Sequence, residues 1–153
     1  MLSWGQFEKL APALAEAGRK LFHQHGIGFA FLATVRKDGA PRLHPVCPTV
    51  FEGGLYVLVG PSHKRRDLLR DGRFALHSFP CRDKDDEFLV MGRARKIDDT
   101  DLYARVLADL KSQGMKSSDD EVLFEFQIDR AMHAAYDGPP GTWPPKYSVW
   151  TEK

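Results

Sequence analysis

Cysteine is scarce, long apolar runs are absent and neither sign of charge prevails, and each shortage narrows what the chain can be. Two cysteines, Cys47 and Cys81, occur in 153 residues with no CxxC spacing. Neither a disulfide scaffold nor a zinc-ligand set is indicated, and a reducing, cytoplasmic setting is expected. Apolar runs such as Gly26–Val35 fall far short of the about 20 residues that cross a bilayer. The start of the chain lacks the basic–apolar–small-residue order of a secretory signal, so neither membrane association nor export is expected. With 22 Lys and Arg against 21 Asp and Glu, the formal net charge is +1. No global field draws such a protein to nucleic acid, and any anion site must come from local clustering. Internal repeats and low-complexity tracts are also missing.

What remains is an ordinary globular composition, 42% hydrophobic, in a chain long enough to bury one core. Ser3 is placed to cap a first helix over about residues 4–24, with Phe7, Leu10, Leu14 and Leu21 on one face and Pro12 splitting it. Ile27–Val35, apolar on both faces, predicts a central strand followed by a turn at Asp38-Gly39. The segment PRLHPVCPTVFE is extended, but Pro41, Pro45 and Pro48 cannot donate to a ladder and assign it to an edge or a bulge. Gly53-Gly54 turns the chain into LYVLVG, and a short helix runs from Ser62 to about Arg70. RFALHSF and EFLVMGRARKI are two further strands. Asp98 to Asp101 open a helix that Gly114 stops, and VLFEFQI is a strand continuing in some form through AMHAAY. Hairpin-joined strands without βαβ alternation predict a mainly β, α+β fold with peripheral helices. The expectation is a single domain over 1–153, with an antiparallel barrel over about 27–136 and an irregular tail over 137–153 ending in a possible short strand.

The segment GPSHKRRDLLRDG carries the most chemistry. Ser62 is a good N-cap, and His63, Lys64, Arg65 and Arg66 fill the first turn behind it. A helix N-terminus carries about half a positive charge and favours acids by about 0.3–1 kcal/mol each, so cations there are locally unfavourable. They make sense if a dianionic phosphate sits on the free amides. A solvated basic face paired with acids elsewhere is the alternative. Arg42 opens the proline-interrupted strand, where it would add a cation beside a flat slot, or be a surface arginine. His44, Cys47, His63, His77 and Cys81 match no zinc spacing, and no metal site is expected. Ser62 lacks a G-x-S-x-G context for hydrolysis. Asp83, Asp85, Asp86 and Glu87 read as a solvated loop, and no side chain stands out as a catalytic acid or base.

The ordered combination FAFLATVRKDGAPRLHPV, LYVLVGPSHKRRDLL, RFALHSF and EFLVMGRARKI resembles the pyridoxamine 5'-phosphate oxidase-like split-barrel superfamily of flavin-binding proteins, over about Gly26 to Asp98. The resemblance implies a split β-barrel of flavin-binding type and a homodimer with flavin mononucleotide (FMN) at its interface. It also implies hydride or electron transfer to a small-molecule substrate, or a flavin-binding stress or sensor protein without turnover. By position it implies that Arg42, Leu43, His44, Pro45 and Val46 line the flavin strand and that Val57 and Leu58 lie beside the ring. Ser62, His63 and Lys64 would hold the phosphate; Arg65 joins them on the helix-terminus argument alone. Relatives that use a deazaflavin or haem keep those cofactors open, with Arg66, Arg70 or Arg73 as a longer anion groove and His133 as a haem ligand. The arginine–histidine pair with which the vitamin-synthesising oxidase grips its substrate has no match in PPGTWPPKYSVWTEK, which speaks against that activity. Tyr136, Trp143, Tyr147 and Trp150 would cover a flavin face or pack a dimer.

Overall fold

The structure, a computed structural model, describes residues 1–139 and 142–153; part of the expected irregular tail, at Pro140 and Gly141, therefore lies outside the described residues. The chain opens with α1 (Trp4–Leu10) and α2 (Pro12–Phe22). Ser3 and Gln6 form a reciprocal capping box at the start of α1, and Pro12 begins α2 at the first helical turn, where a missing N–H is harmless. The predicted single helix is thus two, split where the proline sits. Gly18 on α2 lets the helix lie against the ring of Phe88, which a Cβ would approach to 2.4 Å. Trp4, Phe7, Phe22 and Phe88 pack there edge to face, burying large apolar area worth about 1.5–3 kcal/mol per side chain.

The strands are β1 (Ala30–Val35), β2 (Pro41–Val46), β3 (Thr49–Phe51), β4 (Gly54–Val59), β5 (Arg73–Ser78), β6 (Glu87–Lys96), β7 (Val122–Ala135) and β8 (Lys146–Thr151). Two more helices complete the chain: α3 (His63–Arg70), between β4 and β5, and α4 (Thr100–Ser112), between β6 and β7. The strands form one sheet in the order β2-β1-β5-β6-β7-β4-β3, every pair antiparallel, with β8 added to β7. β1 starts at Ala30 rather than at Ile27, because the preceding residues turn and the backbone at Gly28 lies hard against the carbonyl of Pro48.

PRLHPVCPTVFE is two strands rather than one. β2 and β3 sit at opposite ends of the strand order, yet only Cys47 and Pro48 separate them. Three peptide steps span about 10 Å at most, so the sheet must curl until its two ends nearly meet. That curl is the split barrel. The turn into β4 uses Glu52 and Gly53, both at positive φ (43° and 76°), the pairing a tight hairpin favours.

Leu32, Leu55, Val57, Leu76, Phe88 and Phe126 fill the barrel interior, and Leu68 of α3 reaches the same core. A second cluster lies outside β4, where Tyr56, Leu58 and Leu123 pack under Val106 and Leu110 of α4. β4 is therefore buried on both faces. Among the described residues no helix is long and apolar enough to cross a membrane.

Candidate functional site

α3 begins as its sequence anticipates. Ser62 is extended (φ −167°, ψ 167°); its Oγ accepts from the amide of Arg65 at 3.3 Å and donates to the carbonyl of Gly60 at 3.0 Å. Helix geometry leaves the amides of His63 and Lys64 without an intrahelical acceptor, and the first turn holds no acid. Lys64 takes part in none of the ion pairs among the described residues. Arg66 donates from Nη2 to Nδ1 of His63 at 2.6 Å. Arg65 is engaged elsewhere: its Nη1 donates to the carbonyl of Asp120 at 2.8 Å.

Beside this helix start lies an open cleft of about 700 Å³ whose walls include Arg36, Lys37, Arg42, Arg66 and Arg70, against the carboxylates Asp38 and Asp67. Both acids are already committed. Asp38 pairs with Arg36 at 3.0 Å. Asp67, 4% exposed, accepts from Thr34 Oγ1 at 3.0 Å, from Arg42 Nε at 2.8 Å and from Arg70 Nη1 at 3.2 Å. Burial acts to raise the Asp67 carboxyl, but the hydrogen bonds from Arg42, Thr34 and Arg70 outweigh it and hold it below its ordinary value. The remaining cations give the cleft a positive excess that suits an anion. A second opening, lined by Pro61, Ser62, His63, Arg65 and Arg66, adjoins the same helix start.

The predicted site residues other than Arg65 divide into three groups. Arg42 and His44 face inward from β2, opposite Thr34 and Leu32 of β1, and stand with Ser62, His63 and Lys64 around the α3 start. His44 is drawn below its ordinary pKa by burial, then by the charges of Lys64 and Arg42; its Nε2 is buried without a hydrogen-bond partner among the described residues. Leu43 and Pro45 point outward, Leu43 being 63% exposed. Val46, at the end of β2, is buried in the barrel core, and Val57 and Leu58 lie on β4, which is covered on both faces, so none of the three lines either opening. Of the residues suggested for a longer groove, Arg66 and Arg70 line the cleft. Arg73 does not: it forms a fork with Asp71 beyond the far end of α3.

Asp67, Thr34, Arg36 and Lys37 were not anticipated. Asp67 is the one acid in HKRRDLLR, a signal that was available, whereas its partner Thr34 is linked to it only through the fold. His133 lines a separate cleft with Glu16, Lys20 and Asp86. Trp150 packs on Phe7, with ring centroids 5.2 Å apart, while Trp143 and Tyr147 are exposed. No three His, Cys, Asp or Glu side chains among the described residues come together to hold a metal.

Several solved structures share this architecture. A haem-binding protein from Mycobacterium smegmatis superposes with a TM-score of 0.66 at 17% identity, over 88% of this chain and 57% of that one, so the chain spans little more than half of that protein's length. The haem storage protein HutZ from Vibrio cholerae matches with a TM-score of 0.61 at 20% identity, over 74% and 89% of the two chains. A protein related to general stress protein 26, of the pyridoxinephosphate oxidase family, from Clostridium acetobutylicum matches with a TM-score of 0.64 at 12% identity, over 92% and 94%. None of the curated proteins matches in sequence. The sequence profile described as pyridoxamine 5'-phosphate oxidase matches residues 14–133, which take in β1 to β6, nearly all of β7, α3 and the basic cleft, and the chain belongs to that family.

Proposed function

We propose that the protein is an FMN-binding oxidoreductase that holds the cofactor phosphate at the start of α3 and passes a hydride or electrons to a small-molecule substrate. The observation that carries this reading is the pairing of an acid-free helix start, Ser62 to Arg66, with the cationic cleft beside it. The amides of His63 and Lys64, the Lys64 ammonium and the guanidinium of Arg42 suit a phosphate dianion. The flavin would supply the redox chemistry, and the protein would contribute binding, orientation and the local field.

The outer face of the sheet supports assembly as a homodimer. Leu43, Ala33, Ala75 and Met91 lie in register across β2, β1, β5 and β6, and Phe31, His77, Leu89, Met132 and Val149 form a parallel row. Leu43 and Val149 are 63% and 53% exposed. A stable pair buries about 800 Å² on each partner, and a second copy laid on this apolar face would also wall the cofactor slot.

FMN titration tests the proposal. Quenching of flavin fluorescence and a rise in Tm are expected, and a protein whose Tm ignores excess FMN overturns it. Haem is a second reading, favoured by His44: an unpartnered buried imidazole nitrogen stands beside cations that suit propionates. A Soret band on haem titration that is lost in His44→Ala would select it over flavin. A deazaflavin would extend its longer anionic tail along Arg66 and Arg70.

A further inference from the structure

Arg42 is held by one edge of its guanidinium. Its Nε donates to Asp67 Oδ2 at 2.8 Å, and neither Nη nitrogen has a protein partner among the described residues, although the residue lines the cleft. Asp67 is itself fixed by two further side chains, one from β1 and one from its own helix. Thr34 of β1 donates to the oxygen that Arg42 uses, and Arg70, one turn further along α3, donates to the other. With its Nε edge occupied, an arginine keeps a free pair of Nη groups, the fork that meets a phosphate through two parallel hydrogen bonds. A carboxylate in the wall of an anion cleft makes no sense as a ligand for that anion. It makes sense as the group that aims the arginine.

We propose that Asp67 is a positioning residue: buried beneath the cleft, it orients the Arg42 guanidinium so that its two Nη groups meet a phosphate monoester bound at the start of α3. This rests on the phosphate reading above and adds to it a residue that touches no ligand. The sign of one effect separates positioning from simple electrostatics. Coulomb's law alone makes loss of a carboxylate strengthen anion binding. Loss of a positioning group weakens it, because the arginine must then be ordered by the ligand.

The experiment compares FMN with riboflavin, which lacks the phosphate, on the full chain and on Asp67→Asn. FMN affinity is expected to fall about tenfold, the order of one lost charge-assisted hydrogen bond, while riboflavin affinity stays within about twofold. Unchanged or tighter FMN binding, or an equal loss for both ligands, overturns the proposal. If Asp67→Asn does not fold, Thr34→Val takes its place, since it keeps every charge and removes only one bond that orients Asp67. It should weaken FMN about threefold and spare riboflavin, and no change overturns the proposal. If the unaltered protein binds no FMN, the flavin reading falls, and inorganic phosphate followed at the Arg42 Nε–H resonance decides the role of Asp67 alone. A phosphate-induced shift that disappears in Asp67→Asn (in Thr34→Val where that variant stands in) supports it; the same response in both proteins, or none in either, overturns it.

Discussion

The two helices α3 and α4 begin in opposite ways. α4 is capped by Asp99, whose Oδ1 accepts from the amides of Asp101 and Leu102 at 3.0 and 2.9 Å, and Asp101 adds a second acid to its first turn. Negative charge thus meets the positive end of the helix dipole, and Lys111 sits at the other end. α3 has a neutral cap, no acid in its first turn, and His63, Lys64, Arg65 and Arg66 behind the cap. The far end of α4 is equally self-contained. Thr49 donates to Asp109 Oδ2 at 2.7 Å, Gln113 donates to the same oxygen at 2.8 Å, and Gln113 Oε1 meets Nε2 of His23 at 2.8 Å. α4 satisfies itself from within the chain. α3 leaves amides and cations whose natural complement is an anion from outside it.

The largest expected effect falls on the self-contained helix. Asp109→Ala removes the acceptor of the Thr49 hydroxyl, which is 1% exposed and keeps only the bond it accepts from Gln113 Nε2 at 3.2 Å, and it takes one of two acceptors from that amide. It should lower stability by about 2–3 kcal/mol, the cost of buried polar groups losing a charged partner, while FMN affinity remains that of the unaltered protein. Urea denaturation beside FMN titration measures both. Lys64→Ala should do the reverse. FMN binding weakens by about 1.5–3 kcal/mol through loss of a charge-assisted contact, and unfolding of the ligand-free protein is unchanged or slightly harder. A Lys64 variant that loses stability and keeps FMN affinity would erase the contrast between the helices.

The contrast was legible in the sequence to the extent that it is local. Caps, turns and first-turn charges are set within a few residues, so Ser3, Ser62, the Asp98–Asp101 helix start and Gly114 could be read directly. The strand PRLHPVCPTVFE could not be divided, since its break at Cys47 and Pro48 is dictated by closure of the barrel, which involves every other strand. Val57 and Leu58, placed beside the ring by resemblance, are buried in opposite directions, Val57 in the barrel core and Leu58 under α4. Asp67 was not read as part of the site, because its partners Thr34 and Arg42 reach it only once β1 and β2 are folded against α3. Arg65, taken on the helix-terminus argument alone, lines the second opening and also reaches Asp120, 55 residues away in the chain, a partner that no local argument supplies.

Exchanging the helix starts sharpens the comparison at smaller scale. Lys64→Glu should stabilise the ligand-free protein, and Asp101→Lys should destabilise it, each by about 0.3–1 kcal/mol and less at high salt. Only Lys64→Glu should abolish FMN binding. Thermal unfolding at two ionic strengths, repeated with FMN, reads all of this. Equal responses of FMN affinity to the two substitutions would mean that α3 has no special relation to the ligand.

The smallest effect is a titration. Burial, and after it the charges of Lys64 and Arg42, hold His44 below its ordinary pKa, with Asp67 opposing them. The folded chain therefore binds this proton less readily than the unfolded chain, whose histidines titrate near about 6.5. The stability that follows is complete above about 6.5 and is lost as pH falls from there through the lower folded value, by at most about 1.4 kcal/mol for each unit of the shift. Replacing His44 with Phe should flatten that part of the pH–stability curve. A dianion at the α3 start would cancel much of the field from Lys64 and Arg42, so FMN should raise the His44 midpoint, followed by histidine NMR. Lys64→Ala should raise it without any ligand. If the midpoint moves in Lys64→Ala but not with FMN, the phosphate sits away from this helix start, and its unbalanced charges serve some other partner.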